Sequence, residues 1–542
     1  MNTITAPPRA PKSSTSTIES STTESPGTGS SQAGPERPGF LGSIPEAWYD
    51  RVILAALGVL AAVLSVWNVN GATVYQDDEG TYTAQAFSVL GGELAPYAYG
   101  YDHPPLGWVL LGALVWIPDL LGLGGDTFIG AARYAMAPFF VATALLVYLI
   151  ARRLRIRRPI AALTVVLVVL SPLTLTIGRQ VYLDNIGLPW LLLAFYLALS
   201  RRDALWHHVG AGAFFAVAVL SKETLAIFGP ALMVALLNRP SWSNRTFSLV
   251  GFLTVGGLVL GFYPLLALLR AELVSGEDHL SLQDGLAYQF LDRSGSGAVW
   301  EAGSSRAGLL EGWLYYDQHL IVAGLVAALI CLSRRRTVWI PVAIASFSVP
   351  VVMGSGYLPG MYIIGVLPFL ALAVGAALNA LMDALGKLTA PLPAGRRTGF
   401  KLLAVACTAF VLFQTAVPQW WTQSRALLTQ QVNGDWASAL EWVEENVPHD
   451  ETVLVPYSLW KDLNPDGTRS PWTVVATEKA DLDPQFLLEH PEGWTAIDWV
   501  VQGPDTDTNI EIHDLTMAGE ALENSVPVQT FGEWSVHRVR TG

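Results

Sequence analysis

Charge is scarce in this chain: Asp, Glu, Lys and Arg make up 14% of its 542 residues, against roughly 25% in an average soluble domain. Cysteine is scarcer still. The two present, Cys331 and Cys407, both fall inside apolar runs, which excludes a disulfide framework and a thiolate metal site and makes them small buried hydrophobes. No segment repeats with a period in the range of roughly 20–50 residues that would mark a solenoid or array. Residues 1–45 almost wholly lack large apolar side chains and are rich in Ser, Thr, Pro and Gly. Such a segment is not a signal peptide, cannot bury a core, and is expected to be disordered. A net charge of −13 gives no electrostatic footprint for nucleic acid, and no such partner is expected.

What the chain has is hydrophobicity. Apolar residues make up 51% of it, in runs such as Val52–Val69 and Ile160–Leu175 that continue to about Pro418. Each run approaches the ~20 residues a helix needs to cross a bilayer. The pattern predicts eleven spans, at 52–69, 127–151, 159–177, 185–200, 206–221, 223–238, 246–269, 318–333, 337–354, 359–385 and 400–418. With a cytoplasmic N-terminus, the inner loops hold the Arg-rich run Arg152–Arg158, Arg201-Arg202, Arg334–Arg336 and Arg396-Arg397, as the positive-inside rule requires. The weak point is 206–238, where about 50 Å of helix barely allows two crossings; two short spans with a turn near Ser221 keep the later Arg clusters inside.

The expected fold is therefore a polytopic α-helical membrane protein of about eleven transmembrane helices with a small C-terminal extracytoplasmic α/β domain. Its parts are a cytoplasmic tail (1–45), a transmembrane domain (46–418) with outer loops at 70–126 and 270–317, and the C-terminal domain (419–542). The expected location is the plasma (inner) membrane. From residue 419 onward there are 6 Lys/Arg against 21 Asp/Glu, so the rest of the chain is near neutral. In that acidic tail a helix over Trp436–Val447 and strands at Thr452–Pro456, Ile497–Gln502 and Ser535–Val539 are predicted.

Six basic residues oppose the charge bias by falling on the outer side: Arg133, Arg179, Lys222, Arg270, Arg293 and Arg306. Cations so placed face a cavity, a carboxylate or an anionic partner. The first outer loop opens on Tyr75-Gln-Asp-Asp-Glu-Gly-Thr-Tyr82. Three adjacent carboxylates repel, which raises at least one pKa and suits a general base or a hard cation. Further on come Tyr101-Asp-His-Pro-Pro-Leu-Gly-Trp108, Gly178-Arg-Gln-Val-Tyr-Leu-Asp-Asn185 and Ser221-Lys-Glu-Thr224. The two prolines hold His103 at the mouth of an apolar stretch too short to span, which is expected to lie along the interface.

Together these four places resemble the GT-C superfamily of polyprenyl-phosphate-sugar-dependent glycosyltransferases, with the protein O-mannosyltransferases and the lipid A aminoarabinose transferases as the most similar branches. Asp78-Glu79-Gly-Thr-Tyr82 matches the superfamily's acidic pair and following aromatic, with Asp77 an added acid. His103-Pro104-Pro105-Leu106-Gly107, Arg179 to Leu183-Asp184, and Lys222 match the mannosyltransferase motifs in order. The resemblance covers about residues 50–240.

It implies a polyprenyl-phosphate sugar donor, mannose-like, and an extracytoplasmic hydroxyl acceptor on protein, glycolipid or envelope polysaccharide. Asp78 would be the general base of an inverting displacement, with Glu79 beside it. Arg179, Lys222, Arg293 and Arg306 would hold the donor phosphate, and Asp77, Tyr82, His103 and Asp184 the substrates. Some members use a divalent cation, and the resemblance allows one here without naming its ligands. Trp108, Trp300 and Trp313 are candidate sugar platforms. Two departures stand out: Gly107-Trp108 replaces the Lys usual near His-Pro-Pro-Leu, and the acidic C-terminal domain is foreign to bacterial O-mannosyltransferases. The rival reading is a secondary transporter or lipid flippase. The missing repeat and the gathering of charge at one membrane face favour surface chemistry.

Overall fold

A computed structural model describes residues 46–125, 127–200, 205–238, 242–276, 279–292, 295–354, 356–465 and 472–540. The N-terminal tail and Arg293 lie outside them. The chain divides into two compact units at Tyr49/Asp50, and the second runs from Asp50 to Gly542.

Helices α1 (Glu46–Val66), α2 (Asp77–Leu90), α3 (Leu106–Leu120), α4 (Phe128–Ala135), α5 (Ala137–Arg153), α6 (Arg158–Val169), α7 (Pro172–Ile177) and α8 (Leu183–Ala198) come first. They are followed by α9 (Leu205–Ser221), α10 (Gly229–Leu237), α11 (Trp242–Leu260), α12 (Phe262–Leu269), α13 (Leu282–Ala287), α14 (Ser305–Leu332), α15 (Trp339–Met353), α16 (Leu367–Leu388) and α17 (Ala394–Thr429). Among the described residues six helices are long and apolar enough to cross a membrane, and six shorter apolar ones accompany them.

The expected spans at 159–177, 185–200, 206–221, 223–238 and 337–354 all fall on short or broken helices. Each break has a local cause. Pro172 starts a new helix after α6. Lys222 is extended (φ −155°, ψ 112°) and parts α9 from a 3₁₀ turn, Glu223–Phe228, so the predicted turn near Ser221 is real. In α14 the backbone breaks at Asp317 (φ −152°, ψ 68°), where helix was expected to start at 318. Asp317 caps the second half by accepting the Leu320 N–H (2.9 Å), and also binds Ser171 Oγ (2.5 Å) and Trp420 Nε1 (2.9 Å). Helix α17 does not stop at residue 418 but runs on to Thr429.

The sequence pattern gives no sign of α2, because its first turn is Asp77, Asp78 and Glu79. Three acids look like a loop, yet the partial positive charge at a helix N-terminus favours carboxylates there.

After α18 (Gly434–Asn446) come β1 (Val453–Val455), α19 (Tyr457–Leu463), β2 (Val474–Ala476), α20 (Lys479–Leu482) and α21 (Pro484–Glu489). The chain closes with β3 (Trp499–Gln502), α22 (Thr506–His513), α23 (Thr516–Glu523), β4 (Ser525–Phe531) and β5 (Trp534–Val539). The sheet order is β2-β1-β3-β5-β4; β1 is parallel to β2 and β3, and β5 is antiparallel to β3 and β4. Pro527 is confined to the edge strand β4, beside a register shift.

Alternation along the strands makes two cores. Leu454, Val475 and Val500 pack with Phe486, Leu515 and Ala518 on one face. On the other, Val453, Val455, Val474 and Val501 pack with Trp436 and Trp460, and with Tyr75, Ala84, Tyr97 and Ile129 from the N-terminal third. Tyr97 covers the free edge of β2: its hydroxyl accepts the Ala476 N–H (3.0 Å) and donates to Val474 O (3.2 Å). The C-terminal region therefore shares a core with the segment that carries the acidic run, rather than hanging from the last helix.

Asp462 of α19 joins the two by accepting the Phe128 N–H at 2.6 Å. Burial pushes its carboxyl up to about 7 from an ordinary 3.8, and raises Asp77 to about 6 and Glu478 to about 7. Each raised acid binds its proton more tightly folded than unfolded. Stability is thus greatest where both states are protonated, and falls as pH rises from about 4 towards 7. Asp462→Asn keeps the carbonyl acceptor and removes the buried charge. It should raise the melting temperature by a few degrees at about pH 8, and little at about pH 4. A thermal scan at both pH values checks this; an equal effect at both would show that charge burial is not the cause.

Candidate active site

The three acids on the first turn of α2 have three different fates. Glu79 is fully buried and saturated. Arg133 of α4, also buried, donates to it from Nε (2.9 Å) and Nη2 (2.6 Å). Gln180 Nε2 (3.1 Å), the Val181 N–H (2.9 Å) and the Gln76 N–H (3.3 Å) donate to it as well. Arg133 also reaches the carbonyls of Val69 (3.0 Å), Thr73 (3.2 Å) and Val74 (3.2 Å) and lies 4.4 Å from the Tyr75 ring centroid. This pair nails the start of α2 to the end of α1, to α4 and to the turn before α8.

Asp77 turns towards the C-terminal region. Its Oδ1 accepts from the Ser458 N–H (3.2 Å) and Oγ (3.0 Å), and its Oδ2 from Asn509 Nδ2 (2.9 Å). Gly80 makes that approach possible, since a Cβ there would stand 2.1 Å from Tyr457 O. Asp78, between the two, is exposed and takes no hydrogen bond or ion pair among the described residues. Of the three carboxylates it alone is left with its lone pairs open to a substrate.

A second cluster lies one helix away. Lys222, 3% exposed, is 2.8 Å from His103 Nε2, and His103 Nδ1 is 3.1 Å from Glu223 Oε2. The Tyr99 hydroxyl donates to His103 O (2.5 Å), and Tyr362 presents its ring 5.7 Å from Lys222 Nζ. Gly107 closes the His-Pro-Pro-Leu-Gly turn against this group; a Cβ there would meet Ser221 O at 2.6 Å. Asp184, buried in the first turn of α8, lies within electrostatic reach of Lys222, His103 and Glu223. Tyr82 links the clusters: it lies within electrostatic reach of Asp78 and Asp184, and its ring is 6.2 Å from that of His103. The structure thus brings Asp77, Asp78, Glu79, Tyr82, His103, Asp184 and Lys222 together.

The remaining cations are otherwise engaged. Arg179 spends Nε on Leu175 O (2.6 Å) and Nη1 on Trp67 O (2.9 Å). Arg306 donates to Pro350 O (2.8 Å), Val351 O (3.1 Å) and Gly356 O (2.5 Å). Both tie backbone turns together. Arg270 pairs with Glu272 at 2.6 Å. Of the three tryptophans, Trp108 and Trp313 are buried with their indole N–H on Leu94 O and Gly360 O, so neither offers an open ring face. Trp300 is exposed.

Comparison with known proteins shows what the chain is similar to. Residues 102–266 match the family described as dolichyl-phosphate-mannose-protein mannosyltransferase, a stretch that holds His103, Arg179, Asp184 and Lys222. The ArnT of Cupriavidus metallidurans, solved bound to undecaprenyl phosphate, superposes with a TM-score of 0.55 at 16% identity, over 92% of this chain and 99% of its own. The apo oligosaccharyltransferase of Archaeoglobus fulgidus gives 0.54 at 13% identity, over 88% of this chain and 73% of its own. The chain shares its fold with both.

No curated protein sequence matches the chain, so the likeness beyond the matched stretch is one of fold. Within the candidate site several participants escape a reading of the sequence alone. Gln180 stands inside the Arg179 motif and so is within reach of it. Arg133 stands out by its topological placement but not by its partner. Ser458 and Asn509, which bind Asp77, and Glu478 and Asp505, which lie within electrostatic reach of it, carry no signal, because nothing local ties them to residue 77.

Proposed function

We propose that the chain transfers a hexose, mannose-like, from a polyprenyl-phosphate carrier to an extracytoplasmic hydroxyl acceptor with inversion at the anomeric carbon. The single observation that carries this is the isolation of Asp78 as the open carboxylate between two locked neighbours. The match of residues 102–266 supports the sugar and carrier class. Asp78 takes the acceptor hydroxyl proton as that oxygen attacks the anomeric carbon. The bond from that carbon to the phosphate oxygen breaks on the opposite side, and the lipid phosphate leaves with the electron pair. Lys222 stabilises the charge that develops on it, held in place by His103 and Glu223. Arg179 and Arg306 act as positioning residues through the turns they hold, and Glu79 positions Asp78. Among the described residues no three His, Cys, Asp or Glu side chains are placed to hold a metal ion, and no step here is routed through one.

The test is release of sugar from radiolabelled polyprenyl-phosphate mannose by purified protein in nanodiscs. Lys222→Met should lower kcat/KM for the donor about 10–100-fold, the worth of a hydrogen bond to a charged group. An unchanged kcat/KM would remove Lys222 from the phosphate site. Substrate movement across vesicles without any transfer would put the transporter reading first.

A further inference from the structure

Beside Asp78, between α2 and the C-terminal region, a small cleft is lined by Asp77, Tyr457, Thr477, Glu478, Thr506 and Asn509, among others. Its polar groups are not all satisfied from within. Thr477 is 6% exposed and its Oγ1 has no hydrogen-bond partner. The Glu478 carboxylate takes no hydrogen bond among the described residues, although it feels the charges of Asp77, Lys479, Asp78 and Asp102. Thr506 Oγ1 and the Asn509 amide N–H are used, on the Gly503 N–H (2.8 Å) and Asp77 Oδ2 (2.9 Å). A buried hydroxyl left without a partner is costly in a folded protein and is completed by a ligand hydroxyl or a water that reaches it.

From this cleft we infer that the acceptor is a saccharide, one of whose rings presents its hydroxyl edge to Thr477 and Glu478 while a neighbouring hydroxyl reaches Asp78. The inference rests on the reading of Asp78 given above and names the acceptor class for that site. A serine or threonine side chain brings one hydroxyl, and Asp78 would consume it. Thr477 and Glu478 would then stay unmet. A sugar ring carries several adjacent hydroxyls, each both donor and acceptor. The opposed groups suit them: a hydroxyl that rotates, and a carboxyl that burial keeps partly protonated near neutrality. The cleft is small, so it takes the edge of one ring rather than a whole oligosaccharide. Thr477 and Glu478 follow β2 directly, and β2 is fixed against Tyr97, so the groups are held by a rigid element.

Ligand-observed NMR without donor tests this, using full-length protein in nanodiscs and methyl mannobioside as the probe. Wild type and an exposed control, Glu511→Gln, should bind it alike. Thr477→Val and Glu478→Ala should each weaken binding about tenfold, the loss of one good hydrogen bond. Thr477→Val replaces an unpartnered hydroxyl by a methyl of the same shape, so its melting temperature should not fall. Equal binding by all four proteins would overturn the inference. So would transfer of mannose to a Ser/Thr peptide by a wild type that binds no saccharide. Failure of the proposed function is read separately, as absence of lipid phosphate release from the donor, so the two failures are distinguishable.

Discussion

Replacing Asp78 by asparagine is expected to lower the turnover number at least about 100-fold, the scale of losing a positioned general base, with the donor KM within about a factor of two. Asparagine keeps the size and the hydrogen-bonding edge of aspartate but cannot take a proton at neutral pH. The substitution is informative because Asp78 is exposed and takes no partner among the described residues. Its removal leaves no buried group unsatisfied, and stability should move by no more than about 0.5 kcal/mol. A fall in turnover with an unchanged melting curve therefore reports on chemistry. A fall in both would mean that Asp78 has a structural partner in the working enzyme.

The largest effect on stability is expected at Arg133. Arg133→Met leaves Glu79 as a carboxylate in a fully buried site, keeping the N–H groups of Gln180, Val181 and Gln76 but losing both guanidinium bonds. Breaking a buried pair from one side costs about 3–5 kcal/mol, because the remaining charge is uncompensated. The same substitution frees the carbonyls of Val69, Thr73 and Val74, which hold the entry to α2. Transfer should thus fall with stability, since the turn that presents Asp78 loses its anchor. Substituting both partners, as Glu79→Leu with Arg133→Met, should restore part of the melting temperature, because an apolar pair of similar volume carries no buried charge. Thermal unfolding of the single and double variants checks this. A single variant that melts like wild type would show the pair to be dispensable.

What the sequence makes legible divides along physical lines. Apolar runs report burial in lipid or core, so the helices α5, α11, α14, α16 and α17 each overlap a predicted span, although α14 begins earlier, at Ser305, and α17 runs on to Thr429. The same runs overstate continuity: Pro172 splits the predicted span 159–177 into α6 and α7. Likewise α2 is hidden because its dipole-favoured acids read as loop. The motifs carrying Asp78, His103, Asp184 and Lys222 are legible from spacing and order. Their partnerships are not, since His103 meets Lys222 and Glu223 across 119 and 120 residues, and Asp77 meets Asn509 across 432. Local pattern carries no record of such contacts. The six cations show the limit well: topology marks them as unusual, but only geometry shows that Arg133 and Arg270 face carboxylates while Arg179 and Arg306 face carbonyls.

The mechanism turns on Asp78, rather than Asp77, being the acid that meets the acceptor. Single-turnover transfer from polyprenyl-phosphate mannose, with wild type, Asp78→Asn and Asp77→Asn side by side in nanodiscs, tests it most directly. The expected result is a chemical step at least about 100-fold slower in Asp78→Asn. Asp77→Asn, whose amide oxygen still accepts from Ser458, should stay within about tenfold of wild type. The reverse order, with Asp78→Asn near wild type and Asp77→Asn inactive, would contradict this mechanism and move the chemistry to the acid now bound to the C-terminal region.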